Sequence, residues 1–284
     1  MKHGKSVKAL FISAYITSLA LGLIWAAFQL WQSFDWRWVG VVVALLPSLS
    51  FFGWLFIARP ARTSEDLPVV RRITLAGAAF TVVFGYSNTA DMAALALSML
   101  VGVAGIYTYI YWYSRYGQRV AVEIGKALPP VKLYTLEGNE IALDHYAGSP
   151  VVLMFYRGNW CPLCMAQVKE ISAHYKRLAE LGVKVALVSP QSHQQTSDLA
   201  AHFDVQFDFL EDKDNAAARM LGIVDEGGTP AGLEALGYDI DTVMPTVYVL
   251  DAEGKVLFSH LTDNYRVRPE PELFLRVLEQ QGAV

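Results

Sequence analysis

Cys161 and Cys164 are the only cysteines in this 284-residue chain, and they stand together in Trp160-Cys161-Pro162-Leu163-Cys164. A C-x-x-C pair can bind metal, form a structural disulfide, or cycle between dithiol and disulfide. Tetrahedral zinc needs four ligands. No second cysteine pair exists, and His145, His174, His193, His202 and His260 have no ligand-like spacing relative to this one. A structural disulfide here would close a very short loop and stabilise little. Thiol redox chemistry remains, and its reactive species is the thiolate. A helix N-terminus favours that thiolate, because its unpaired N–H groups and the helix dipole attract negative charge. The apolar run 151–156 before the pair, and Pro162 at a position suited to a first helical turn, predict a strand feeding a helix that opens at the cysteines.

The elements that must hold such a site follow from the pattern of the C-terminal half. Residues 131–136 read as a short strand, followed by a turn at Glu137-Gly138-Asn139. Residues 151–156 and 183–188 are apolar without alternation, as central strands covered on both faces are. Residues 164–181 place Val168, Ile171, Tyr175, Leu178 and Leu181 at helical spacing. The pattern then predicts a helix over 194–203, a strand over 205–210 and a helix over 214–221. A hairpin of 247–250 and 255–259 follows around Asp251-Ala252-Glu253-Gly254, with a closing helix over 271–281. Strands alternating with helices and ending in a hairpin imply an α/β domain with a mixed sheet over 119–284. The acidic, glycine-containing stretch 225–241 reads as a solvated insertion, and His193 as a loop residue.

Residues 1–118 are of another kind. Four uncharged apolar stretches, 9–30, 38–58, 73–90 and 92–113, read as a bundle of transmembrane helices, the third being the weakest. About 20 residues at 1.5 Å each cross a hydrocarbon core of about 30 Å. The first stretch is too long for a cleaved signal peptide and lacks its A-x-A site. Lys2, Lys5 and Lys8 precede the first span, Arg59, Arg62, Arg71 and Arg72 lie between the second and third, and Arg115, Arg119 and Lys126 follow the fourth. The opposite side holds Arg37, offset by Asp35, and Asp91. Both termini are therefore expected on the cytoplasmic side of a bacterial-type inner membrane. Tyr107, Tyr109, Tyr111, Trp112, Tyr113 and Tyr116 suit an interfacial belt. Gly77, Ala78, Gly102 and Gly105 suit close helix packing. No Asp, Glu, Lys, Arg or His and no cysteine lies inside a span, so the bundle reads as an anchor among membrane lipids, with neither an ion path nor a thiol relay. The formal net charge is −4 and no basic patch interleaved with aromatics is present, which argues against a nucleic-acid partner.

Four blocks carry a family resemblance. They are Leu136-Glu137-Gly138 with Ile141-Ala142-Leu143; Phe155-Tyr156-Arg157-Gly158-Asn159-Trp160-Cys161-Pro162-Leu163-Cys164; Val188-Ser189-Pro190-Gln191; and Met244-Pro245-Thr246-Val247-Tyr248-Val249-Leu250-Asp251. Over about 132–281 the chain resembles the thioredoxin-fold redoxins, and most closely the peroxiredoxin-like branch of the alkyl hydroperoxide reductase and thiol-specific antioxidant family. The resemblance implies a thioredoxin-like fold in which Pro245 is a cis-proline facing the cysteines. Met244, Pro245 and Thr246, with Trp160 and Arg157, would line the substrate groove. It also implies two registers for the pair. In the thioredoxin register Cys161 attacks and Cys164 resolves, while the buried acid of that family falls near Met154, which cannot titrate. In the peroxiredoxin register Cys164 takes the peroxidatic position and Cys161 replaces the Thr three residues before it. Arg157 then stands where the motif has its first Pro, and Pro245 takes the place of the downstream Arg that binds peroxide. Arg157 is the arginine available to return a guanidinium to the thiols.

The expected function is that of a membrane-anchored thiol oxidoreductase cycling Cys161 and Cys164 between dithiol and disulfide. Its substrate is a hydroperoxide, attacked to give a sulfenic acid, or else a protein disulfide, attacked to give a mixed disulfide. The resemblance favours the hydroperoxide, supplies a thioredoxin-like reductant as partner, and calls for no metal or organic cofactor. A non-enzymatic redox sensor, whose disulfide state alters how the domain meets its partners, is the alternative of another class.

Overall fold

The structure is a computed structural model that describes residues 2–85, 92–117 and 122–280. It comprises two compact units, one built on the helices of 6–59 and 63–115 and the other on 116–284 together with 1–5 and 60–62. The expected domain boundary at 118 lies outside the described residues, as do 86–90 of the expected third span and Asp91.

The helical unit contains α1 (Lys2–Gln32), α2 (Trp36–Ala58), α3 (Pro68–Gly85) and α4 (Met92–Tyr113). All four contain a stretch long and apolar enough to cross a membrane. The Asp35 carboxylate starts α2 by accepting the Arg37 backbone N–H at 2.9 Å. Helices α2 and α3 pack backbone to backbone. A methyl group on Gly77 would run into the Ala44 backbone, and one on Gly40 would lie 2.8 Å from the Thr81 nitrogen. Gly105 of α4 lies under the Tyr15 ring of α1 in the same way. The small residues thus serve close packing. Leu21, Ile24, Trp31 and Ile57 face outward, as lipid-facing side chains do.

The second unit is an α/β domain of the thioredoxin-like kind with a mixed sheet. Its strands are β1 (Lys132–Tyr134), β2 (Glu140–Ala142), β3 (Val151–Phe155), β4 (Lys184–Ser189), β5 (Asp208–Glu211), β6 (Val224–Asp225), β7 (Thr242–Val243), β8 (Thr246–Leu250) and β9 (Val256–Leu261). Seven of them form one sheet in the order β2-β1-β5-β4-β3-β8-β9, and β6 pairs with β7 in a separate ribbon. Strand β3 runs parallel to β4 and antiparallel to β8, and all five of its residues are buried, which accounts for its unbroken apolar run. Helices α5 (Pro162–Ala173) and α6 (Tyr175–Glu180) make the crossover from β3 to β4 that a parallel pair requires. Helices α7 (His193–Ala200), α8 (Ala216–Met220) and α9 (Pro271–Gln280) complete the domain. Phe155 pairs with both Val188 and Thr246, so the ends of β3 and β4 and the start of β8 meet at one edge of the sheet. The cysteines follow β3 at that edge.

Several boundaries differ from expectation. The helix expected over 164–181 breaks at His174 (φ −94°, ψ 5°), after Ser172 has turned its hydroxyl onto the Val168 carbonyl at 2.8 Å. The helix expected from 214 begins at Ala216, because Asp214 and Asn215 adopt φ of 57° and 52°. The Asp212 carboxylate then caps it, accepting from Ala217 N at 2.8 Å and Ala218 N at 2.9 Å. His193 belongs to α7 and to no loop, since Ser192 and Gln195 form a capping box that starts the helix there. The stretch 225–241 is not simply solvated. Asp225 and Thr229 are 2% and 1% exposed, and the β6–β7 ribbon closes the neck of the loop, while Glu226 and most of 232–240 are exposed.

Candidate active site

After β3, Tyr156 N–H bonds the Val188 carbonyl at 2.9 Å, and the chain turns through Arg157-Gly158-Asn159-Trp160 into α5. Gly158 has φ 143°, and a Cβ there would lie 2.7 Å from the Trp160 indole nitrogen, so the turn requires glycine. Cys161 is the N-cap of α5, with extended backbone (φ −89°, ψ 110°), and Pro162 occupies the first turn. The backbone N–H groups of Cys164 and Met165 donate to the Cys161 carbonyl at 3.0 and 3.1 Å. This is the strand-into-helix arrangement that the C-x-x-C spacing predicts.

Arg268 supplies the charge at the sulfurs. It lies between β9 and α9, is 4% exposed, and brings Nη2 to 3.4 Å from Cys164 Sγ and 3.9 Å from Cys161 Sγ. Its orientation is fixed at two further points. Nη1 donates to Gln167 Oε1 at 2.9 Å, one helical turn after Cys164, and Nε donates to the Tyr265 carbonyl at 3.1 Å. The turn that delivers it is held by side chains on backbone: Asn264 N–H donates to Thr262 Oγ1 at 3.0 Å, and Arg266 N–H to Asn264 Oδ1 at 3.1 Å.

The two thiols are driven apart in acidity. Burial opposes the Cys164 thiolate, but the hydrogen bond from Cys161, the charge and hydrogen bond of Arg268 and the backbone N–H of Arg157 outweigh it. Cys164 is held well below the ordinary thiol range. Cys161 is held well above that range, first by burial and then by its hydrogen bond to Cys164 and the charge there, against the pull of Arg268 and Arg157. Arg268 favours the charge on Cys164 because it lies nearer that sulfur.

Other residues named from sequence fall into place differently. The guanidinium expected from Arg157 goes elsewhere: it pairs with Asp225 at 3.4 Å, donates to the Gly228 carbonyl, and stacks between the Trp160 and Tyr265 rings at 4.9 and 5.0 Å. Arg157 therefore braces the wall of the site, and its backbone N–H, rather than its side chain, reaches Cys164. Trp160 is half-buried in that wall. The cis bond expected at Pro245 is absent, since no described peptide bond is cis. The extended β7 strand runs directly into Met244, whose N–H is bound to the Ile223 carbonyl at 2.7 Å, and the trans bond that is the default for X-Pro carries the chain into β8. Met244 is half-buried, Pro245 and Thr246 are buried, and the Thr246 hydroxyl donates to the Met244 carbonyl at 3.0 Å. Arg268 and Gln167 escaped the sequence reading. Only Gln167 carried a signal, one turn after Cys164 on the same predicted helix.

Known proteins resemble the α/β unit in sequence. Residues 124–259 match the AhpC/TSA family model, and the chain carries a domain of that family. The chain is 25% identical over 162 residues to thiol-disulfide oxidoreductase ResA of Bacillus cereus, covering 57% of this chain and 81% of that protein. It is 29% identical over 125 residues to the chloroplastic peroxiredoxin Q of Sedum lineare, covering 44% and 67%. It is 22% identical over 161 residues to peroxiredoxin Bcp of Escherichia coli, covering 57% and 98%. Among solved structures, Enterococcus faecalis AhpC matches with TM-score 0.46 and 19% identity, covering 56% of this chain and 92% of that one. These relatives are enzymes of thiol redox chemistry.

Proposed function

We propose that this chain reduces hydroperoxides at Cys164, on a domain held at the membrane by α1 to α4. The observation that carries the reading is the Arg268 guanidinium 3.4 Å from Cys164 Sγ. It sustains a thiolate on that sulfur and has further N–H donors for the oxygen on which charge develops as the peroxide bond breaks. The Cys164 thiolate attacks the terminal oxygen of ROOH, forming an S–O bond as the O–O bond breaks. The leaving RO⁻ takes a proton from solvent, and Cys164 becomes a sulfenic acid. Cys161 then attacks the Cys164 sulfur; an S–S bond forms, and the hydroxyl leaves as water with the Cys161 proton. A thioredoxin-like dithiol restores the pair by exchange and is itself oxidised to a disulfide.

Protein disulfide reduction is the second reading, favoured by the place of Cys161 at the N-cap of α5. Two observations weigh against it. The Met244 N–H, which would pair with an extended substrate peptide, is taken by Ile223, and Cys161 is the thiol held up rather than down. The Lys and Arg distribution along the helices favours a cytoplasmic domain, where a reducing pool returns the pair to thiols. Coupled turnover of the full chain in detergent or bilayer, with thioredoxin and its reductase, tests the reading. Hydrogen peroxide turnover that needs both cysteines is expected; turnover of insulin disulfides with none of peroxide contradicts it.

A further inference from the structure

The two sulfurs that must meet a substrate and a reductant are both buried, Cys161 at 2% and Cys164 at 0% exposure. The loop leading into them is gripped by the segment between β6 and β7. Asp225 and the Gly228 carbonyl hold the Arg157 guanidinium, and the Thr242 hydroxyl donates to the Arg157 carbonyl at 2.8 Å. At the root the segment is stitched to itself, with Gly227 N–H on Asp241 Oδ1 at 2.9 Å and Thr229 N–H on the Ile240 carbonyl at 3.1 Å. Its tip is attached differently. Residues 232–237 are largely exposed, Leu236 at 66%, and Gly232 and Gly237 flank a single 3-10 turn, Leu233–Leu236, with φ of 102° and 84°. From this tip Tyr238 donates its hydroxyl to Asn159 Oδ1, two residues before Cys161, and Gln195 Nε2 reaches the Leu236 carbonyl at 3.0 Å. Asn159 is itself fixed, its N–H donating to Gln191 Oε1 at 2.8 Å.

We infer that Tyr238 is a specificity-determining latch: bonded to Asn159, it admits small hydroperoxides and small thiols to the cysteine pair and bars macromolecular ones; released, it opens Cys161 to a protein partner. The inference rests on the thiol-pair reading and deepens it by assigning size selection to a named side chain. The root is stapled by backbone and ion-pair contacts while the tip hangs on side-chain hydrogen bonds between glycines, so the tip is the part that moves. The loss of one partly buried hydrogen bond shifts such an equilibrium by up to about tenfold.

The test compares two thiol reagents on the reduced full chain, iodoacetamide and a maleimide carrying a polyethylene glycol chain of about 5 kDa, the size chosen to exceed any side-chain opening. Only Cys161 and Cys164 can react, because the chain has no other cysteine. In Tyr238→Phe the ratio of large-reagent to small-reagent rates is expected to rise about tenfold over the natural chain. Asn159→Ala, which removes the other half of the bond, should raise it likewise. An unchanged ratio in both variants overturns the latch. So does an equal rise for the two reagents, since general loosening does not select by size. The readout needs no turnover, so failure of the peroxide reading shows separately, in the steady-state assay of the natural chain.

Discussion

At the residue scale, the chemistry depends on which sulfur holds the charge, and Arg268 decides it. A guanidinium keeps its charge at all working pH values, so it favours a thiolate beside it even where burial opposes one. Alkylation of Cys164 is therefore expected to remain fast as pH falls below the ordinary thiol pKa of about 8.5. Arg268→Gln should move the midpoint of that profile upward, because the largest nearby positive charge is gone. It should also lower kcat/KM for hydrogen peroxide by about 10²- to 10³-fold, the usual loss when one preorganised donor is removed. Arg268→Lys should recover part of the pH shift and less of the rate, since an ammonium is a single point of charge without the planar fork. The pair Cys161 and Cys164 was legible in the sequence, because spacing alone is a chemical statement. Arg268 was not. It lies 104 residues after Cys164, and it reaches the sulfurs only because the β8–β9 hairpin returns the chain to the site edge of the sheet. Sequence reasoning also sent Arg157 to the thiols, and its side chain was claimed instead by Asp225 and the Gly228 carbonyl.

At the scale of elements, one apolar strand and one capped helix hold the site, and their patterns survive in the fold. Residues 151–155 of the run 151–156 became β3, and Pro162 opened α5. What could not be read was where the chain leaves regular structure. The break at His174 comes after a serine side chain competing for a carbonyl, and the late start of α8 comes from two left-handed residues; periodicity carries neither. The turn between β3 and α5 is the most constrained of these joints. Gly158→Ala places a methyl against the Trp160 indole at φ 143°, and about 1 to 3 kcal/mol of stability should be lost, seen as a lower midpoint in chemical denaturation of the α/β unit within the full chain. Asp212→Ala should cost about 1 kcal/mol by the same measurement, because two backbone donors at the start of α8 lose their acceptor.

For the whole molecule, a redox domain is joined to helices that carry no redox group of their own. The close approach of α2 to α3 at Gly77 makes that unit sensitive to volume: Gly77→Leu should lower its melting temperature in detergent, whereas Gly53→Leu, where a Cβ meets nothing within 4 Å, should not. The expected side of the domain is cytoplasmic, and a reporter fused after the last residue should be active in the cytoplasm and silent outside it. Side and reaction are linked, since a cytoplasmic thiol pool recharges the pair and an oxidising compartment does not. The most direct test of the account is to trap the sulfenic acid. The full chain is treated with hydrogen peroxide and a dimedone-type nucleophile, as Cys161→Ser and as Cys164→Ser, and the adduct is located by mass spectrometry. The account predicts an adduct on Cys164 in Cys161→Ser and none in Cys164→Ser. An adduct on Cys161 in Cys164→Ser, with Cys164 unmodified in the other variant, would contradict it.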